Sequence, residues 1–262
     1  MKYLVFSDVH DMAENLSLIP KDSGLSYICL GDIVAGDPES AKSAIDTLQE
    51  LDAICVYGSH DLPVVNDEAL NKWLDLERMM REKGRGNPDR FRKFYEDALR
   101  VRNGLDADRL SYLESLPETQ TISYGGKTVQ MIHGSLPLGE EETKAIRRQM
   151  GTARIITKDV ARANFESPEF NGDILLVGHS HVPVAYRQTN ETIDERIFQE
   201  SGKVRVHNGI FSNSKYILNP GAIQKLRAYP KHNEKTAIFE RGGYRSYGIL
   251  DTEEDSFEVV FV

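Results

Sequence analysis

Side chains that can do chemistry occur along this 262-residue chain in small groups: Asp8 with His10, Asp32 alone, His60 with Asp61, His133 alone, and His179 with His181. Taken singly, each has an ordinary explanation, because an Asp after a strand is usually a turn or cap residue and an isolated His is usually a hydrogen-bonder. Five of the seven histidines fall in these groups, however, and that joint placement points to a shared purpose. Imidazole and carboxylate together suit Mn, Fe, Co or Zn, and a carboxylate can bridge two such ions where an imidazole cannot. On a strand-like backbone, residues two apart point to the same side, so Asp8 and His10 are expected to share one ion and His179 and His181 to project together.

Something must bring groups so far apart in sequence to one place. Residues 2–6 (KYLVF) end at Ser7 and Asp8, residues 26–30 (SYICL) at Gly31 and Asp32, and residues 53–57 (AICVY) at Gly58, Ser59 and His60. Each is a short β-rich apolar run followed by helix-favouring sequence, which predicts βαβ units. In open α/β sheets, ligands bind at the C-terminal strand ends, where these residues lie. Asp37 followed by Pro38 reads as an N-cap and N1 pair, opening a helix with Ala41, Ala44, Ile45, Leu48 and Leu51 on its apolar face. Residues 66–116 turn charged and helix-favouring, broken near Gly84–Pro88 and Gly104, and predict two longer helices and a short third. Strands are expected again at Thr128–Ile132 and Ile174–Val177, with helix over Glu140–Ala163 between them. The VRVHNG, KYILNPG, TAIFE, SYGIL and FEVVFV segments then predict a largely antiparallel C-terminal third. With neither a linker nor a repeat, one domain over residues 1–262 is expected, carrying a cap-like helical insert at about 66–116.

Composition narrows the class. Hydrophobic residues at 40% and charged residues at 28% allow a sizeable core without disulfides. The formal charge of −9 argues against an extended nucleic-acid footprint, which needs clustered Lys and Arg. Cys29 and Cys55 each sit in an apolar run and read as buried free thiols in a reducing compartment. No apolar run approaches a membrane span, and the N-terminal segment carries acid where a signal peptide would stay apolar. A cytoplasmic protein is expected.

The ordered set Asp8-Val9-His10, Gly31-Asp32, Gly58-Ser59-His60-Asp61, His133 and Gly178-His179-Ser180-His181 resembles the calcineurin-like metallophosphoesterase superfamily, whose motifs run DxH, GD, GNHD, H and GHxH. Asn219-Pro220-Gly221 is similar to that family's late strand-and-turn. The resemblance implies a four-layer αββα sandwich of two mixed sheets flanked by helices. It also implies two divalent transition-metal ions, Mn favoured over Fe, Zn or Co. Asp8, His10, Asp32 and His181 would hold the first, and Asp32, His133 and His179 the second. By the same resemblance His60 approaches the phosphoryl oxygens, to stabilise charge or protonate the leaving group, Asp61 orients the His60 ring, and a hydroxide between the ions attacks phosphorus. Past the NPG turn, Gln224, Lys225 and Arg227 lie near where family members engage substrate, Arg227 being the candidate substrate-binding residue. His207 and His232 match no motif.

Ser59 stands where the family has an Asn that gives its carboxamide oxygen to the second metal. A serine oxygen lies one bond nearer the backbone and is a weaker donor, so weakened or rearranged second-metal binding is expected. This leaves open a working variant with water as ligand, a substitution that suppresses turnover, and a non-catalytic phospholigand-binding module. The protein-phosphatase signature GDxVDRG is absent, GDIVAGD standing in its place, which favours a phosphodiesterase on a nucleotide-like or other small phosphoester, with a phosphomonoesterase as the alternative. Within the insert, Arg81, Lys83, Arg85 and Arg90 read either as a solvated charge run or as a phosphate receiver. Asn87 reads as an N-cap ahead of Pro88, and Trp73, Phe91, Phe94 and Tyr95 read as the stripe that docks the helices rather than as a base-stacking platform.

Overall fold

A computed structural model describes residues 1–84, 86–124, 126–137, 157–190, 192–206, 214–224 and 245–262. Arg85, Lys225, Arg227, His207, His232, the TAIFE segment and residues 140–156 of the expected Glu140–Ala163 helix lie outside the described residues.

Alternation of apolar residues explains the layering. In β1 (Lys2–Phe6), Tyr3 and Val5 face one way and Leu4 and Phe6 the other, and every one of them is buried. Strands buried on both faces need a covering layer on each side. Tyr3, Val5, Ile28 and Leu30 pack against Val129, Met131, Ile174, Leu176 and Leu218, which makes a core between two sheets. Leu4, Phe6 and Cys29 pack outward against Ala41, Ala44, Ile45 and Leu48 of α1 (Pro38–Glu50), and against Val101 and Leu113. On the opposite outer face, Leu175, Val177 and Ile217 pack against Val160, Ala161 and Phe165 of the helix Lys158–Glu166.

The result is an αββα sandwich of two mixed six-stranded sheets. In the first sheet, β1 lies parallel to β2 (Leu25–Cys29), which pairs in parallel with the two-residue β3 (Ile54–Cys55). It continues antiparallel through β11 (Ser246–Asp251), β12 (Ser256–Phe261) and β9 (Gly202–Arg205). The second sheet runs β4 (Thr119–Tyr124), β5 (Lys127–Ile132), β6 (Ile174–Val177), β10 (Lys215–Asn219), β7 (Val184–Thr189) and β8 (Thr192–Ile197). There β5, β6 and β10 are mutually parallel. Both sheets therefore offer a set of parallel strands whose C-terminal ends meet at one rim.

Helix α1 begins as its sequence predicts, with Asp37 accepting from the Ser40 amide and Pro38 in the first turn. Residues 66–116 hold α3 (Asp67–Glu82), α4 (Pro88–Gly104) and α5 (Ala107–Ser115), two longer helices and a shorter third, preceded by the four-residue α2 (Leu62–Val65). Asn87 precedes α4 in extended conformation, yet its side chain makes no cap hydrogen bond. The third strand stops two residues short of Tyr57, because the Val56 amide bonds to the Cys29 carbonyl and the Tyr57 amide turns to the Pro117 carbonyl. Among the described residues no helix is long and apolar enough to cross a membrane. Cys29 and Cys55 are buried free thiols.

Candidate metal centre

The five motif segments converge on the rim. Asp8 and His10 follow β1, Asp32 follows β2, Ser59 and His60 follow β3, His133 follows β5, and His179 and His181 follow β6. Two donor groups result, Asp8–His10–His181 and Asp32–His133–His179, each with ligand atoms within 4.8 Å of one another. A third overlapping set, His10–Asp32–His60, spans them.

The backbone that achieves this is not the strand-like one that the motif spacing suggests. Asp8 (φ 58°), His10 (φ 47°), Asp32 (φ 52°), His179 (φ 63°) and His181 (φ 58°) all occupy the left-handed region, as does Asp11 (φ 61°). Such conformations outside glycine cost of order 1 kcal/mol each and cluster where function demands an unusual side-chain direction. Asp8 and His10 thus reach a common point by turning out of the strand, not by alternating along it. The loops also need close backbone approach: a methyl at Gly58 would stand 2.1 Å from the Asp32 amide nitrogen, and one at Gly178 would stand 3.1 Å from Asp8 Oδ2.

Distances within the groups suit a cation. His10 Nε2 lies 3.2 Å from His181 Nε2, and His133 Nε2 lies 3.1 Å from His179 Nδ1. His181 Nε2 lies 3.1 Å from Asp8 Oδ1, His133 Nε2 3.1 Å from Asp32 Oδ2, and His10 Nε2 3.6 Å from the same Asp32 oxygen. Ligands bonded at about 2.0–2.1 Å to one ion are spaced by about 3.0–3.4 Å. Asp8 Oδ1 is fully buried and makes no hydrogen bond, so it is an orphaned acceptor aimed into the first group. His133 Nδ1 donates to the Leu30 carbonyl at 2.7 Å, which fixes the tautomer and presents Nε2 to the second group. The residues present fit divalent metal, with Asp32 standing between the two donor groups.

Electrostatics agree. Burial disfavours the charged forms of Asp8 and Asp32, yet His181 beside the first and His133 beside the second hold both carboxyls below the usual carboxylate range. Burial likewise lowers His133, but Asp32 outweighs it and pushes the ring up to about 9. His60 has burial dominant and is pushed down to about 4. Imidazole ligates metal only when neutral, so at pH 7.5 ion binding must expel the proton from His133. Metal affinity is therefore expected to rise with pH up to about 9 and level off above it. Calorimetric titration of Mn in two buffers of different ionisation enthalpy checks this: because burial at His10 is outweighed by Asp8 and Asp32, which hold that ring above its usual range too, heats that differ by the ionisation of at least one proton per chain are expected, and identical heats would contradict it.

Several side chains serve by holding the loops. The Asp61 carboxylate accepts from the amides of Ile33 (2.8 Å), Val34 (3.0 Å) and Gly58 (2.8 Å), tying the loop after β2 to the one after β3. Among the described residues no hydrogen bond joins it to His60, so the expected orientation of that ring by Asp61 gives way to support of the backbone beneath it. Burial, aided by the Asp32 charge, pushes Asp61 up to about 6. Asp11 caps the amides of Ala35, Gly36 and Asp37. Asn219 Nδ2 donates to the Gly178 carbonyl at 2.8 Å and to Ser180 Oγ at 3.0 Å, which explains the NPG turn. Beyond that turn, the Gln224 amide bonds to the Asp8 carbonyl at 3.2 Å. Asp11 escaped sequence reading, although an extra acid directly after a DVH run, with a Gly-Asp pair later, is the signal that such a cap leaves.

Ser59 Oγ donates to both Asp32 oxygens at 3.3 Å, and the His60 amide reaches Asp32 Oδ1 at 2.8 Å. The rings of Trp73 and Phe94 stand beside His60, Phe94 edge-on and Trp73 tilted. Of the basic run in the insert, Arg81 is committed to Glu77 and Asp89, whereas Arg90 lies over the Phe94 ring. Away from the rim, a cavity of about 360 Å³ opens between the β7–β8 hairpin and β9, lined by Arg187, Asp194, Arg196 and Arg205 among others. It touches none of the motif residues.

Comparison with known proteins bears on the whole chain. A family model described as Calcineurin-like phosphoesterase superfamily domain matches residues 1–242. An uncharacterized protein of Methanocaldococcus jannaschii is 26% identical over 267 residues, covering 98% of this chain and 86% of that one. A metallophosphoesterase from Sphaerobacter thermophilus superposes with a TM-score of 0.63 at 24% identity, covering 100% of this chain and 88% of its own. A hypothetical protein from Pyrococcus horikoshii gives 0.57 at 14% identity, covering 100% and 87%. At such identities these two structures bear on the fold alone, and it is the two-sheet sandwich described above.

Proposed function

This chain belongs to the calcineurin-like phosphoesterase superfamily, and from that premise we propose that it is a metal-dependent phosphoester hydrolase, acting on small phosphodiesters in preference to monoesters. The observation that carries the reading is the pair of abutting donor groups, joined where His10 Nε2 approaches Asp32 Oδ2 at 3.6 Å. Asp8, His10, His181 and Asp32 would hold one divalent transition-metal ion, and Asp32, His133 and His179 the other. When bound, the ions supply Lewis acidity: they acidify water and neutralise phosphoryl oxygens. The chain's own task is to position substrate and stabilise charge. His60, neutral at pH 7 because burial pushes it down to about 4, offers an N–H to a phosphoryl oxygen and is a poor proton donor to a leaving group. Asp61 acts through the backbone, keeping the His60 loop against Asp32. We place the protein in the cytoplasm, a reading supported by its two buried free thiols.

Ser59 favours a second reading, a module that binds phospholigands without turnover, because its hydroxyl is spent on Asp32. Both readings meet one experiment: metal-stripped protein is reloaded with Mn, Fe, Zn or Co and offered bis-p-nitrophenyl phosphate and p-nitrophenyl phosphate. Faster diester than monoester turnover is expected; the reverse order would make the protein a phosphomonoesterase, and no turnover with any metal would leave the binding module. In the same assay Ser59→Asn, whose carboxamide oxygen extends one bond further, is expected to tighten the second ion and raise kcat by about tenfold. Superimposable metal titrations of the two proteins would show that Ser59 is no handicap.

A further inference from the structure

The insert helices carry two distinct apolar sets. Leu70 on α3 and Ala98 and Val101 on α4 are buried in the core and dock the insert on the body. Trp73, one turn past Leu70, and Phe94 and Phe91, one and two turns ahead of Ala98, are only half-buried. They pack on each other, Trp73 and Phe94 with centroids 5.0 Å apart and Trp73 and Phe91 stacked at 6.1 Å with planes 28° apart. The cluster runs directly into the metal centre: Phe94 meets the His60 ring edge-on at 5.1 Å, Trp73 lies 6.4 Å from it, and His60 meets His10 at 4.9 Å. Docking explains the buried set but not three large rings left partly in water beside the reactive rim.

We propose that Trp73, Phe91 and Phe94 form a stacking platform for the flat heteroaromatic part of the substrate's organic group, so that nucleoside-like phosphoesters are the preferred class. This rests on the phosphoesterase reading, because the phosphate of the same molecule must sit at His60. Arg90, with its guanidinium 5.1 Å from the Phe94 ring centroid and no carboxylate partner among the described residues, supplies the cation at the platform's edge. A base on this platform gains dispersion and stacking against rings already assembled, at little ordering cost.

Trp73 is the one tryptophan of the chain, so its fluorescence reports the platform without any need for turnover. Metal-loaded protein is titrated, with excitation at the red edge, with the adenosine phosphonate in which a methylene replaces the bridging ester oxygen, and with the ribose phosphonate lacking the base. Quenching that saturates with the adenosine compound, at an affinity about tenfold to a hundredfold above the ribose compound, is expected. Phe94→Leu, which keeps apolar volume without a ring, should bring the two affinities within about threefold of each other, and Phe94→Tyr should restore the gap. Equal affinities in the unaltered chain, or a gap that survives Phe94→Leu, would overturn the platform. Hydrolysis of adenosine and ribose methyl phosphodiesters, run in parallel, separates the two claims. Equal turnover of both would leave the phosphoesterase standing without the platform. Selective quenching without turnover would leave the platform without the phosphoesterase.

Discussion

Asp32→Asn is expected to lower phosphodiester turnover by more than about 10³-fold and to reduce bound metal from two ions per chain to one or none. Asp32 is the carboxylate on which both donor groups converge, with His133 3.1 Å and His10 3.6 Å from its Oδ2. The amide keeps the shape of the side chain and an acceptor for the His60 amide, which Asp32 Oδ1 now receives at 2.8 Å. What it removes is the negative charge and the capacity to bridge. The loss should therefore fall on metal content and rate while the circular dichroism spectrum stays unchanged. Full metal occupancy in Asp32→Asn, measured by inductively coupled plasma spectrometry after gel filtration, would show that the two groups do not share this residue.

His60→Ala should behave differently. Its kcat is expected to fall about 10²- to 10³-fold, the cost of losing one aligned donor to a phosphoryl oxygen, with both ions retained. The His60 ring lies within reach of His10 and Asp32, so ligation is the competing role. Metal content decides between them, since loss of an ion in His60→Ala would make the ring a ligand. The pH–rate profile adds a second readout. A ring pushed down to about 4 by burial is neutral throughout pH 6 to 9, so its removal should scale the whole profile down without deleting a limb. Disappearance of an acidic or basic limb would assign proton transfer to His60.

How much of this was legible in the sequence depended on the kind of interaction involved. Strand ends in the first 60 residues stand out because parallel strands buried on both faces leave unbroken apolar runs such as KYLVF, which stop abruptly at polar residues. The start of α1 is legible because Asp37 and Pro38 act locally. β7 and β8 are harder to see: VAYRQT is buried only over Val184–Tyr186 and then turns polar, and most of β8 (TIDERI) faces solvent, so no sustained apolar pattern marks them. The short length of β3 follows from a bond between Tyr57 and Pro117, distant in sequence and invisible to any window. Within the centre, residue types disclosed which side chains meet but not how, because the left-handed backbone at Asp8, His10, Asp32, His179 and His181 is imposed by tertiary contacts. Asp61 shows the same limit. Its place beside His60 suggests an orienting partner, whereas its oxygens are taken by amides from two loops. The aromatic stripe of the insert was visible as rings at helical spacing, but only the fold separates Leu70, Ala98 and Val101 in the core from Trp73, Phe91 and Phe94 at the rim.

Hydrolysis at the proposed two-ion centre is tested by stepwise return of Mn to metal-stripped protein while bound metal and bis-p-nitrophenyl phosphate hydrolysis are followed together. Turnover that is absent at the start, stays low through the first ion and rises to a plateau at two ions per chain is the expected result. Full turnover in the stripped protein, a plateau at one ion, or no turnover at saturating metal would contradict it.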